Sequence, residues 1–170
     1  MLIQRLRPEN APAYRDLMLA AYAAHPDAFT SSPSERQALP VAWWEDRVSL
    51  STEANECVFG AFVADELVGA AGLSFQTRER IRHKCSVFGM VVRSSHRRLQ
   101  LGDRLLHAVL EAARQRHGVT LVQLTVTEGN RTAVALYERH GFVEFGAEPQ
   151  AVNTPTGMVT KLHMWRPLRV

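Results

Sequence analysis

Apolar and polar positions along the chain change period several times, and each change marks an element. LIQRL (2–6) alternates well enough for a first strand. Pro8 and Glu9 open a helix in which Tyr14, Leu17, Met18, Ala21 and Tyr22 recur at helical spacing, and His25-Pro26 ends it. DAFTSSPSER (27–36) has the composition of a loop, and Pro40 begins a second, short helix carrying Trp43 and Trp44. CVFGAFVA (57–64) and LVGAAGLSFQ (67–76) read as strands joined by a tight hairpin at Asp65-Glu66. A long strand, HKCSVFGMVV (83–92), follows.

The next apolar stripe is helical. Leu101, Leu105, Leu106, Val109, Ala112 and Ala113 line one side of a helix running to about Arg116, with Asp103, Arg104, His107, Glu111 and Arg114 opposite. VTLVQLTV (119–126) is a β-branched strand. NRTAVALYERHGF (130–142) then encodes a helix with an Asn cap at its start and Gly141 at its exit. Two last strands, about 142–148 and 157–165, flank the turn-rich NTPTG. The order β-α-α-β-β-β-α-β-α-β-β predicts a mixed α/β sheet of about seven strands with about four helices. No internal repeat or low-complexity tract interrupts it, so residues 1–170 read as a single domain.

Composition adds limits. The chain has 170 residues, 46% apolar and 22% charged, which is the globular range. Arg5 and Arg7 break the start, and Asp65 and Glu66 break the longest apolar run, so neither a signal peptide nor a membrane span is expected. Cys57 and Cys85 each sit inside apolar runs, as free buried cysteines do, and a cytoplasmic location is expected. The net charge is +3, and all basic residues but Lys84 and Lys161 are arginine. Clusters at RERIRHK (78–84) and RSSHRR (93–98) suit nucleic acid, an anionic cofactor or an acidic partner; on charge alone, solvated arginine-rich loops are the preferred reading. His83 and Cys85 alternate on one strand face but have no second ligand pair at metal spacing, so no metal is expected. Trp43 and Trp44 could stack on single-stranded nucleic acid, yet adjacent helical residues point about 100° apart, so at least one packs inward.

VVRSSHRRLQLGDRLL (91–106) runs from strand through basic loop into helix. A helix N-terminus offers unpaired N–H groups and a positive dipole end, and arginines add charge-assisted donors worth about 1.5–3 kcal/mol each. It is neither a Walker loop nor a dinucleotide fingerprint, because their glycines and Lys-Ser/Thr are missing. The segment resembles instead the pyrophosphate loop of the GNAT family of acetyl-CoA-dependent N-acetyltransferases, Arg/Gln-x-x-Gly-x-Gly/Ala. Arg97 matches its leading residue, Gln100 replaces the first glycine and Gly102 matches the second. LTVTEGNRTAVALYERHGF (124–142) is similar to the same family's second cofactor segment: strand, Asn, helix, Tyr and Gly-Phe. The element order agrees as well.

That resemblance implies a GNAT-like fold in which two parallel strands, ending near Val92 and Val126, splay to form an acyl-CoA cleft. Acetyl-CoA or another short acyl-CoA is the implied co-substrate, with no metal. Its pantetheine arm would lie against strand backbone as β-augmentation does. N–H groups of Met90, Val91 and Val92 would polarise the thioester carbonyl. Arg97, Arg98, Gln100, Leu101, Gly102 and Asp103 would meet pyrophosphate. Asn130 and Tyr137, seven residues apart, share a helix face with Ala133 between them, so an extended ligand can lie close. Tyr137 would donate a proton to the departing thiolate; taken alone, it reads more readily as a core aromatic. Tyr14 and Tyr22 belong to the core or the pocket rim.

The acceptor amine must lose a proton, its ordinary pKa being about 10.4. Glu56, Glu128, Glu148, His83 and His163 are candidate bases, none preferred. The resemblance implies direct transfer in a ternary complex, since no cysteine stands where a covalent carrier would. It puts the acceptor between residues 25–47 and 147–160, where Asp27, Glu35, Glu45, Asp46 and Glu148 would suit a cationic amine. No nucleic acid or membrane partner is expected, and a homodimer is the expected assembly. The alternative is a non-catalytic acyl-CoA sensor or an arginine-rich nucleic-acid-binding module. At residue 100, a left-handed backbone would cost glutamine about 1–2 kcal/mol.

Overall fold

Small residues decide how the layers meet. In the computed structural model, which describes residues 1–168, the strand Glu66–Phe75 is buried on both faces from Leu67 to Leu73. Gly69, Ala70, Ala71 and Gly72 keep its surface thin, so helices pack closely from either side; a Cβ on Gly69 would already come within 3.2 Å of Leu105.

Around this strand the sheet has seven members: β1 (Leu2–Arg5), β2 (Glu56–Val63), β3 (Glu66–Phe75), β4 (Lys84–Val92), β5 (Leu121–Thr127), β6 (Val143–Thr154) and β7 (Gly157–Pro167). Their order is β1-β2-β3-β4-β5-β7-β6, and only β4 and β5 run parallel. One face carries α4 (Leu101–Gln115) and α5 (Arg131–Arg139) over a core that includes Leu105, Leu106, Val109, Val122 and Phe142. The other carries α1 (Ala11–Ala24), α2 (Pro33–Gln37) and α3 (Val41–Arg47) over Leu6, Tyr14, Met18, Trp44 and Val58. The mixed, mostly antiparallel sheet of seven strands and its one parallel pair agree with the sequence reading. Residues 169 and 170 of the single domain read from the sequence lie outside the described residues.

Four details depart from that reading. The loop 27–36 runs into the extra helix α2, where Ser32 and Glu35 cap each other: the Glu35 amide donates to Ser32 Oγ at 3.2 Å and the Ser32 amide to Glu35 Oε2 at 3.3 Å. The Ser-x-x-Glu spacing that signals this box is present in SPSE. The β2–β3 turn centres on Ala64 and Asp65, both at positive φ, one residue earlier than Asp65-Glu66. Strand β6 extends to Thr154 through an irregularity between Glu148 and Val152, where Pro149 cannot donate to the ladder. On α4, Leu110 replaces Ala112 in the buried stripe.

Candidate active site

The cleft begins where strand pairing stops. β4 and β5 pair at only three positions, Lys84 with Leu121, Cys85 with Val122 and Ser86 with Gln123. Beyond Ser86 the edge of β4 facing β5 has no strand partner, so its backbone groups are open to a ligand. A bulge increases the divergence. The β3–β4 register moves from Gly72–Phe88 to Ala70–Val91, one extra residue on β4, and Gly89 takes φ +59° there. Glycine relieves the steric cost of that conformation, and a bulge of this kind bends a strand and re-aims its side chains.

Two helix starts flank the opening. A 3-10 turn, Ser94–Leu99, ends in Gln100 at φ 55° and ψ 25°, directly before α4. A left-handed residue after a right-handed turn converges successive N–H groups into an anion-binding hollow, and α4 adds its dipole. So residue 100 does adopt the strained backbone, and glutamine carries its cost. At α5, Asn130 Oδ1 accepts from the Ala133 amide at 3.2 Å, the cap expected of it. Gly102 brings the two helices together: a Cβ there would lie 3.3 Å from Leu136 Cδ2. Asp103 locks the junction, accepting from Arg139 Nη2 at 3.2 Å and His140 Nε2 at 3.1 Å. Burial raises its pKa, but those hydrogen bonds and charges outweigh burial and hold the carboxyl below its ordinary value.

The opening holds two connected spaces. The outer groove, about 870 Å³, runs past Met90, Val91, Val92, Arg97, Gln100, Gly102, Asp103, Asn130 and Ala133. The inner cavity, about 280 Å³, lies deeper, between α1, the bulge of β4, and Tyr137. Met90, Asn130 and Ala133 border both. A chain of polar contacts closes part of the wall: Lys161 Nζ donates to Thr127 Oγ1 at 2.8 Å and to the Ala28 carbonyl at 3.4 Å, while Thr127 donates to the Asp27 carbonyl. Burial lowers the Lys161 pKa, and the Asp27 charge opposes that shift.

All three tyrosines of the chain, Tyr14, Tyr22 and Tyr137, border the inner cavity. Tyr137 is almost fully buried against Phe142, edge to face at 5.9 Å, and burial pushes its pKa up to about 12. Tyr14 packs against Trp44 at 5.7 Å and is likewise shifted upward by burial.

Of the residues singled out from the sequence, Met90, Val91, Val92, Arg97, Gln100, Gly102, Asp103, Asn130 and Ala133 come together along the outer groove, and Tyr137 lines the inner cavity. Leu101 is fully buried, so only its backbone is available, and exposed Arg98 stands outside the groove lining. Arg97 hydrogen-bonds His25 at 2.9 Å, and Arg139, not picked out from the sequence, adds a second guanidinium to the groove. Among the candidate bases, Glu128 borders the outer groove, Glu56 pairs with Arg47, and Glu148 pairs with His163 at 2.8 Å away from both spaces. His83 sits at the joined end of β4, opposite the opening, as does the arginine-rich stretch 78–84.

The acidic residues that the resemblance put near the acceptor mostly stand away from the cleft. Of Asp27, Glu35, Glu45, Asp46 and Glu148, only Asp27 touches the cleft, in the outer groove. The inner cavity is bordered by Arg36, Arg47 and Lys161 instead. Sequence reading missed these because they come from three separate elements with no shared spacing. Trp44 packs inward as expected, while Trp43 carries the Arg36 and Arg47 guanidiniums against its ring at 4.6 and 4.9 Å. Among the described residues no three His, Cys, Asp or Glu side chains gather as a metal site, and no helix is long and apolar enough to cross a membrane.

A sheet opened between its one parallel pair, with a basic loop feeding a helix at the mouth, defines an α/β architecture shared with known acetyltransferases. The chain belongs to the acetyltransferase (GNAT) family, whose profile matches residues 13–142. Its fold is similar to that of a GNAT-family acetyltransferase from Streptococcus pneumoniae, with a TM-score of 0.88 at 23% identity over 98% of both chains. It is also similar to yncA, a putative acetyltransferase from Salmonella typhimurium solved with its cofactor acetyl-CoA, with a TM-score of 0.81 at 18% identity over 100% of this chain and 95% of that one. An uncharacterized protein of Mycobacterium leprae is 35% identical over 98 residues, 55% of this chain, and the chain spans only 25% of that protein's length.

Proposed function

We propose that the protein transfers an acetyl group from acetyl-CoA to a primary amine, of a small molecule or a peptide, by direct attack in a ternary complex. The observation that carries this reading is the parting of β4 from β5 after three residue pairs, which leaves open strand backbone leading from the α4 start to Tyr137. The residues present suit the co-substrate. The hollow at Gln100 and the α4 amides, with Arg97 and Arg139 beside them, match a pyrophosphate in charge and donor type. The exposed edge of β4 matches an amide-bearing arm, and Ala133 leaves room beside α5.

When bound, acetyl-CoA supplies an activated thioester carbonyl. N–H groups among Met90, Val91 and Val92 hydrogen-bond its oxygen as negative charge develops there. The amine nitrogen forms its bond to the carbonyl carbon, and the carbon–sulfur bond breaks. Tyr137 gives its hydroxyl proton to the departing sulfur and is reprotonated from solvent, while the amine proton leaves through water. A phenol with a pKa near 12 stays protonated throughout the physiological range, as a general acid must.

The test pairs binding with turnover. Tyr137→Phe is expected to leave the acetyl-CoA Kd, by calorimetry, within about threefold of wild type. Loss of one general acid should lower thiol release with an accepted amine by roughly 10²–10³-fold. Absence of acetyl-CoA binding by the wild type, or full turnover by the variant, would overturn this assignment.

A further inference from the structure

The lining of the inner cavity carries cations and no carboxylate among the described residues. The cations are Arg36, Arg47 and Lys161. Arg47 is the most constrained of the three. Its side chain is 12% exposed, and its guanidinium lies 4.2 Å from the Phe88 ring and 4.9 Å from the Trp43 ring. Packing between two aromatic faces fixes the plane of a guanidinium and leaves its N–H edge for a planar anion. Buried Nε has no hydrogen-bond partner. Glu56 Oε2 lies 3.4 Å from that nitrogen, close enough for an ion pair, but Glu56 is outside the cavity lining.

Arg36 repeats the arrangement on the same indole. Its guanidinium stands 4.6 Å from the Trp43 ring, oriented by an Nε hydrogen bond to Ser31 Oγ at 2.9 Å. Phe88 immediately precedes Gly89, the bulge residue, so the Arg47 guanidinium is seated on the strand whose backbone faces the reacting carbonyl. Lys161 adds a third positive end, bonded only to neutral oxygens of Thr127 and Ala28. A lysine side chain or polyamine would bring further positive charge into this space, where the nearest carboxylates, Glu56 and Asp27, stand outside the lining and already face Arg47 and Lys161. An amine bearing its own oxyanion would bring a negative charge to these cations. The volume of about 280 Å³ leaves room for a small amine.

We propose that the acceptor is a small amine carrying an oxyanion, carboxylate or phosphate, and that Arg47 and Arg36 hold that oxyanion while the amine faces the thioester. The proposal rests on the transferase reading, and its test separates the two. Thiol release is measured over matched pairs: amino acids against their amides and decarboxylated amines, and phosphoethanolamine against ethanolamine, with spermidine and a lysine-rich peptide alongside. At least one anionic member is expected to exceed its neutral partner more than tenfold in kcat/KM, and the pair showing it distinguishes carboxylate from phosphate. Arg47→Gln and Arg36→Gln, with folding checked by circular dichroism, should each lower kcat/KM for that acceptor by roughly 10- to 100-fold, mainly through KM. The neutral partner's kcat/KM should fall clearly less than the anionic acceptor's, the acetyl-CoA Kd should stay within about threefold, and Arg47→Lys should recover part of the loss. Neutral or cationic amines equalling the anionic ones, no turnover of any anionic amine, or equal losses on both members of a pair would overturn the acceptor proposal. Failure to bind acetyl-CoA would remove the transferase reading as well.

Discussion

The outer groove and the inner cavity are continuous, yet they are built on opposite plans. The groove is mostly main chain: an open strand edge, a left-handed residue at a helix start, and a helix face kept low by Ala133. The cavity is mostly side chain, with tyrosines, two guanidiniums and a lysine brought from α1, α2, α3, α5 and β7. Backbone recognition tolerates many sequences and suits a ligand that never changes. Side-chain recognition can be rewritten one residue at a time, which suits an acceptor that differs from one relative to the next.

Three substitutions sharpen this contrast. Ala133→Leu places a branched side chain where groove and cavity meet, and should weaken acetyl-CoA binding at least about tenfold, since burying a leucine-sized group against the ligand path forfeits more than a kilocalorie of contact. An unchanged Kd would show that the ligand follows a different track. Gly72→Ala strikes the cavity from behind: its Cβ would lie 2.3 Å from the Phe88 ring, which must then shift from beneath Arg47. Overpacking of this kind costs about 1–3 kcal/mol of stability. Calorimetry and steady-state kinetics should show a raised acceptor KM with acetyl-CoA affinity retained; equal damage to both would erase the distinction drawn above. The smallest effect belongs to Gln100→Gly. Relief of left-handed strain, about 1–2 kcal/mol, is offset by about 0.5–1 kcal/mol of added chain entropy. A stability gain between zero and about 1.5 kcal/mol in urea unfolding is expected, with acetyl-CoA affinity equal or slightly better. A large loss of affinity would identify the glutamine side chain as a ligand.

The same contrast explains what the sequence disclosed. Strand period, helix stripes and caps are local, so the sheet, α4, α5 and the Asn130 cap were all legible. The groove was expected through the family resemblance that two contiguous segments carry, 91–106 and 124–142. Arg47 was not. Nothing within ten residues of it says that Phe88 will rise to meet it, or that Trp43 will be shared with Arg36. The acidic residues of 25–47 and 147–160 pose the same difficulty: their number was visible, but the direction each side chain takes depends on the element that carries it, and for Glu35 that element is α2, whose capping box was present in the letters and read as loop. Gln100 falls between the two cases, since its conformation was posed as a condition by the sequence and decided only by the chain path.

The three-residue contact between β4 and β5 has a mechanical consequence. It is the only seam of strand hydrogen bonds joining the β1–β4 half of the sheet to the β5–β7–β6 half among the described residues. A ligand lying along the open edge extends that seam like a zip, so co-substrate should act as a structural stitch as well as a reactant. Amide deuterium uptake along Val87–Val92 and Leu124–Thr127 should therefore slow when the groove is filled, far more than uptake in β2 or β3, whose partners are already complete.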